Sequence, residues 1–361
     1  MTLLISNAEF ERLVTVEDAI GILEPTFADL GAGRVANRPR TLNYTHLGDD
    51  KFYLYSCMDS SVPRLGVHLF RMTSDQIEER IEGGRARRVK NRNPQGKYCG
   101  LVLMFSIEDF APIAILQDAV LNRTMIGATS AIAAKHLSRP DSQIMALLGA
   151  GWLAMTQVIG HCAVRPVKEI RVYSPTESNK LKLCRELTGR VSAKLVPVGN
   201  AAEAITGADI IACATNAYTR VFDGAALVAG QHVGSVQIGE LDDLTHERAT
   251  TITSRAREPA TQWHAQAGRL PRDEQWLRRW RKEWDVKLRF LGEIVEGRSK
   301  GRISDDDITL FGGIGTGPSS GLGMQYIPGT ACLSAGEGKG HWIRDPDRVV
   351  PGGLPPVGRH E

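Results

Sequence analysis

The sequence predicts an α/β protein: a doubly wound parallel sheet joined to a second, α+β unit. Three observations carry that expectation. An apolar run, Ile144 to Leu148, leads into Gly149-Ala150-Gly151-Trp152-Leu153-Ala154, then a helical pattern, then a second apolar run, Ile170 to Tyr173. Strand, glycine turn, helix and strand at that spacing read as the first βαβ unit of a dinucleotide-binding, Rossmann-type fold. Asp209–Asn216 and His232–Val236 are apolar for most of their length, as strands buried on both faces of a parallel sheet are. Residues 38–72 instead alternate at the period of half-buried antiparallel strands.

Taken in order, residues 1–35 read as helical, with Ala19, Ile20, Leu23, Phe27 and Leu30 on one face after Val14-Thr15. Arg40–Tyr44, Phe52–Ser56 and Gly66–Arg71 read as strands. Residues 74–98 are polar and rich in Arg, Gly and Asn, and read as a long excursion. Leu101–Phe105 and Pro112–Leu116 read as a strand pair joined around Glu108-Asp109, and Ala128–Ser138 as the helix that enters the nucleotide unit. Beyond it, Ala193–Val198 is a strand and Ala201–Ile205 a short helix. Trp276, Trp280 and Trp284 recur every four residues, which places them along one helix face as packing residues. Ser304, before three acidic residues, reads as the N-cap of a helix. The segment after Arg302 is expected to rejoin the first unit.

In the glycine turn, Gly149 permits the tight bend, Gly151 lets the backbone approach a pyrophosphate at the positive helix end, and Ala154 lets helix and strand pack closely. Ala150, Trp152 and Leu153 complete the cofactor-binding turn. Ser174 stands at the end of the second strand, where an NAD-binding unit carries Asp or Glu for the ribose 2′-OH. The hydroxyls, amide and amine of Ser174, Thr176, Ser178, Asn179 and Lys180 suit a 2′-phosphate, so NADP is the expected cofactor, with NAD the alternative; Thr176 also reads as a helix N-cap. Thr215, Asn216 and Ser235 close the next strands at their C-terminal ends, where ligands bind in such sheets.

The 361 residues suffice for two domains, and 42% hydrophobic with 24% charged residues is ordinary for a globular protein. A net charge of +3 implies no nucleic-acid partner. The basic run Arg85–Arg92 reads as a solvated loop or a phosphate contact. Six scattered cysteines without a C-x-x-C imply a reducing compartment and no zinc site. The first residues lack signal-peptide character and no apolar run approaches the ~20 residues of a membrane span, so a cytoplasmic location without membrane contact is expected.

These elements together resemble the ornithine cyclodeaminase/μ-crystallin family. The resemblance rests on Ala128–Lys135 before the glycine turn and on the turn itself. It rests also on Gly207-Ala208-Asp209-Ile210-Ile211 with Ala214-Thr215-Asn216, on Gly230-Gln231-His232-Val233 with Glu240-Leu241-Asp242, and on Arg302–Phe311. It implies a Rossmann domain over residues 126–301 and a substrate-binding and dimerisation domain built from residues 1–125 with 302–361. It implies a homodimer, a small-molecule substrate and redox chemistry at a C–N bond, by an imine or ketimine reductase or an amino acid dehydrogenase. Loss of ammonia from ornithine, or binding of NADP and a small ligand without turnover, are the alternatives.

Members acting on α-amino acids carry an Arg near the first strand, a Lys on a following strand, an Arg before the helix that leads to the turn, and an Asp after the Gly-Ser step. Arg40 fits the first position. His68 stands at the Lys position, Met125 at the second Arg position with Arg123 two residues away, and no Asp follows Gly234-Ser235 at the expected place. His68 then reads as the proton donor or as a hydrogen-bonded strand histidine. Arg40 reads as a carboxylate clamp or a surface residue. Arg123, Met125 and Glu240 are candidate substrate contacts, and Asp242 a second carboxylate or an N-cap.

Overall fold

Two eight-stranded sheets organise the chain in a computed structural model that describes residues 2–82, 85–91, 99–217, 219–255, 261–268 and 281–312. The N-terminus forms β1 (Leu3–Ile5), α1 (Asn7–Leu13) and α2 (Val16–Gly31). The two helices are separate because each has its own start signal. Ser6 with Glu9, and Thr15 with Asp18, form capping boxes that satisfy the first-turn amides. The short strand β1 lies where helix was expected.

The first sheet follows: β2 (Ala36–Gly48), β3 (Lys51–Val62), β4 (Val67–Glu82), β5 (Arg85–Asn91), β6 (Cys99–Ser106) and β7 (Pro112–Gln117). The order is β1-β7-β6-β4-β3-β2, with β5 also paired to β4. The expected polar excursion is therefore largely a ribbon: β4 runs on to Glu82, and β5 turns back with Gln76 opposite Asn91. Ladder hydrogen bonds do not depend on side-chain polarity, so a charged, two-sided ribbon gives no alternating apolar signal.

Helix α3 (Asp118–Leu137) joins the sheets. With α1 and α2 it covers the inner face of the first sheet, in a core holding Phe10, Leu23, Phe27, Leu69, Met104 and Leu121. The second sheet uses β8 (Ile144–Leu148), α4 (Ala154–Val164), β9 (Glu169–Tyr173), α5 (Glu177–Leu187), β10 (Lys194–Pro197), α6 (Ala201–Ile205), β11 (Ile210–Cys213), β12 (His232–Ser235), α7 (Asp243–Arg248) and β13 (Thr251–Ser254). Its pairings are parallel, in the order β10-β9-β8-β11-β12, and apolar clusters cover both faces. That is the expected doubly wound sheet, with its change of direction at β8.

The later chain departs from the expected division. Strand β14 (Thr261–Ala265), assigned to the nucleotide unit, pairs parallel with β2 of the first sheet. Strand β15 (Leu288–Phe290) completes the edge beside β13, and α8 (Leu291–Glu296) then packs on α2 so closely that a Cβ on Gly31 or Gly292 would overlap the other helix's backbone. Residues 303–312 do not join the antiparallel sheet, and the rest of the segment expected to do so lies outside the described residues. Strand β16 (Thr309–Gly312) inserts between β12 and β13.

Ser304 opens a turn rather than a helix. Asp307 accepts the Ile303 and Ser304 amides, while Arg302 donates to the carbonyls of Leu137, Gly230 and Asp307 and ties β16 to α3. Trp276 and Trp280 lie outside the described residues. Trp284 is buried and stacks on His246 with centroids 4.7 Å apart.

Candidate active site

The glycine turn is built as its residue types require. Gly149 has φ +112°, and a Cβ there would overlap the Ala214 carbonyl and stand 3.0 Å from Thr215 Cγ2, so only glycine fits between β8 and the end of β11. Its amide donates to Tyr173 O at 2.8 Å. At Gly151 a Cβ would meet nothing within 4 Å, which leaves the side from which a phosphate approaches clear. Helix α4 then begins with Leu153 as N-cap and without a side-chain cap; the Ala154 amide donates to Gly151 O at 3.1 Å, and no side chain competes with an anion for the amides beside it. An open approach and an uncapped helix end fit a dinucleotide. Ala150 and Gly151 to Leu153 supply the amides that would hold its pyrophosphate.

At the end of β9, Ser174 is buried and its hydroxyl accepts the Thr176 amide at 3.3 Å. Thr176, Ser178 and Asn179 are exposed at the start of α5, and Thr176 is its N-cap by position without a side-chain bond. Lys180 departs from expectation. It is buried, and its Nζ donates to Val198 O at 2.8 Å and pairs with Glu177 at 2.7 Å. Its charge is committed between α5 and β10.

Glu240 also departs. It is 0% exposed and accepts from Thr215 N (2.6 Å), Thr215 Oγ1 (2.7 Å), Ser235 Oγ (2.7 Å), Val236 N (3.1 Å) and Gln237 N (2.9 Å). Burial raises its pKa and the donors pull against that, with a net rise. A carboxylate in this position clasps the ends of β11 and β12 together and presents nothing to a substrate. Thr215 and Ser235 are held at the sheet's C-terminal edge by this clasp, while Asn216 beside them is exposed. Asp242 caps α7, accepting Thr245 N at 2.9 Å.

The two candidates for substrate chemistry do not meet within one chain. Along β4, Val67, Leu69 and Arg71 face the helix-covered core, and His68, Phe70 and Met72 face the other way. His68 sits on that outward face, with Nδ1 2.8 Å from Ser61 Oγ. Arg38 and Thr41 pair with Asp59 and Cys57 of the same outward face across a bulge, so Arg40 points inward with Leu42 and Tyr44. Inward of β4 lies a group that sequence reasoning missed. Buried Arg71 donates to Asp118 at 2.9 and 2.6 Å and to Asn122 at 3.2 Å, at the start of α3. The signal was available, because Arg71 shares the parity of the apolar residues 67 and 69.

Met125, on the same helix, is an apolar core residue packed with Leu121 and Ile132, and contributes no polar contact. Arg123 is turned toward the glycine turn. Its guanidinium lies 4.2 Å from the Trp152 ring centroid, and it pairs with Glu11 at 2.7 Å. Among the described residues no cluster of three or more His, Cys, Asp or Glu is placed to hold a metal.

The sequence matches the model of the ornithine cyclodeaminase/mu-crystallin family over residues 1–317. It is 29% identical over 233 residues to a Delta(1)-pyrroline-2-carboxylate reductase of Bacillus cereus (strain ATCC 10987 / NRS 248), covering 63% of this chain and 70% of that one. Among solved structures it resembles Thermococcus litoralis Delta(1)-pyrroline-2-carboxylate reductase in complex with NADH and L-proline, with a TM-score of 0.70, 25% identity and coverage of 92% and 97% of the two chains. An archaeal alanine dehydrogenase dimer with bound NAD shares the fold at a TM-score of 0.69 and 20% identity, over 92% of this chain and 93% of that one.

Proposed function

The chain belongs to the ornithine cyclodeaminase/mu-crystallin family, and we propose from that premise that it is an NAD(P)-dependent oxidoreductase reducing the C=N bond of a small imino acid. The observation that carries the reading is the Gly149–Ala154 turn with its open Gly151 and uncapped α4, beside curated relatives named as reductases of a cyclic imino acid. When bound, the nicotinamide supplies a hydride to the imine carbon. The protein's part is to hold the pyrophosphate on the α4 amides and to orient the substrate anion. Arg40, inward on β2, is the side chain proposed for the anion.

NADPH is the proposed partner in preference to NADH. Ser174 replaces the usual acid, and exposed Thr176, Ser178 and Asn179 offer donors to a 2′-phosphate; Lys180 takes no part. The proposed assembly is a homodimer through the outward face of the first sheet, where Leu4, Ile115, Leu103 and Phe70 form one apolar row and Leu101 and Met72 the next. A cytoplasmic setting is proposed with it, since Cys57, Cys162, Cys184 and Cys213 are free thiols.

The test is oxidation of NADPH and NADH with Δ1-pyrroline-2-carboxylate, other cyclic imines, and 2-oxo acids plus ammonia, with L-ornithine as a separate arm. Imine-dependent oxidation is expected. Ammonia release from L-ornithine without net oxidation would replace this reading with the cyclodeaminase one. Gly151→Val is expected to abolish cofactor binding in a folded protein, and unchanged affinity would remove the turn from the site.

A further inference from the structure

Two elements meet at the glycine turn in a way the dinucleotide fold does not require. Helix α3 belongs to the first unit's core, yet it lies in backbone contact with α4: a Cβ on Gly127 would stand 2.5 Å from Thr156 Cβ. Thr156 Oγ1 donates to Arg123 O at 2.9 Å and also lies 3.1 Å from Leu153 O, so residue 123 is fixed one turn from the cofactor-binding amides. From there the Arg123 side chain reaches over Trp152, the residue after Gly151. One face of that ring carries the guanidinium at 4.2 Å, and the residue is 55% exposed. Arg123 itself is 12% exposed, pairs with Glu11 of α1, and its Nε has no hydrogen-bond partner among the described residues.

We propose that Arg123 is a ligand of the dinucleotide's phosphates, held ready by the Trp152 ring and by Glu11, and is not a substrate contact. This rests on the assignment of the glycine turn to a dinucleotide. A guanidinium is the side chain best matched to phosphate oxygens, and it keeps its charge when dehydrated against a ring. Glu11 is 56% exposed and is the weaker anion. A pyrophosphate on the α4 amides competes with it for Arg123 and gains the cation that the ion pair releases. Because Arg123 sits on α3 and Glu11 on α1, cofactor binding would tie α3 to the glycine turn and release the Arg123 tie to α1.

The experiment measures NADPH dissociation constants without substrate, by quenching of Trp fluorescence and by calorimetry, at several salt concentrations. Arg123→Met is expected to weaken NADPH at least tenfold and to flatten the salt dependence, since one charge-assisted phosphate contact is worth about that much. Arg123→Lys should recover part of the loss, Glu11→Gln should tighten binding, and Trp152→Phe should remove much of the quenching signal. Wild-type NADPH affinity in a folded Arg123→Met protein, with a raised KM for the imino acid, would overturn the proposal and return Arg123 to the substrate. Failure of wild-type protein to bind any dinucleotide would refute the functional reading instead.

Discussion

Glu240→Gln is the most informative single substitution at the cofactor edge. All five contacts of the carboxylate are donors, and an amide nitrogen would face some of them. A loss of about 3 kcal/mol is expected, from opposed donors and broken charge-assisted bonds. The shift of the urea midpoint measures it, and a shift below about 1 kcal/mol would mean that the clasp is dispensable. His68→Ala tests the other residue-scale assignment. A general acid contributes roughly 10²–10⁴-fold to turnover. On the outward face, opposite to Arg40, His68 is expected to matter less: turnover within about threefold of wild type and a loss of about 1 kcal/mol from the Ser61 bond. A hundredfold fall in turnover would restore His68 as proton donor.

At the scale of elements, α4 and β12 each carry a fully buried histidine. His161 Nδ1 lies 2.7 Å from the Gln157 carbonyl and must donate to it. His232 Nδ1 lies 3.0 Å from Thr309 Oγ1, whose hydrogen goes to Leu137 O, so this nitrogen donates as well. Both Nε2 atoms therefore carry bare lone pairs, without partners among the described residues. Burial pushes His161 down to about 4 and His232 well below its usual value, where His161, Arg302 and Arg165 add to the cost of a charge.

A histidine whose folded pKa is depressed binds fewer protons folded than unfolded. Its neutral form is fully accommodated above the unfolded value of about 6.5, and stability falls as pH drops from there toward 4. His161 alone should cost about 3 kcal/mol at pH 4. Urea midpoints between pH 7 and 4 should show that slope, and His161→Gln should flatten it. A parallel slope in the variant would place the acid sensitivity elsewhere.

For the whole molecule, the outward face of the first sheet decides the assembly. Leu4 and Leu101 are exposed and continuous with half-buried Phe70, Met72 and Leu103, on a face that neither helices nor the second sheet cover in the described chain. Phe70→Glu with Leu101→Glu should convert a dimer into a monomer in sedimentation, with NADPH affinity kept, because the glycine turn lies beyond α3 on the other side. An unchanged sedimentation coefficient would remove this face from the interface.

The chain's local patterns were enough for β8 to β12 of the second sheet. Each strand buried on both faces reads as an apolar run, and Gly149 and Gly151 mark the turn because backbone geometry there excludes a side chain. The same patterns located β2 to β4, β6 and β7, whose alternation reports one buried face. They were silent on β5 and β14, which are held by ladder bonds that polar and charged residues make equally well, and on β16, whose place between β12 and β13 is set by Arg302 reaching carbonyls on three separate segments. The facing of Arg40 and His68, the turn of Lys180 inward and the burial of Glu240 were settled only in three dimensions. A bulge of one residue, or a carbonyl on a neighbouring strand, decides where a charge points, and neither is written in the spacing of residue types.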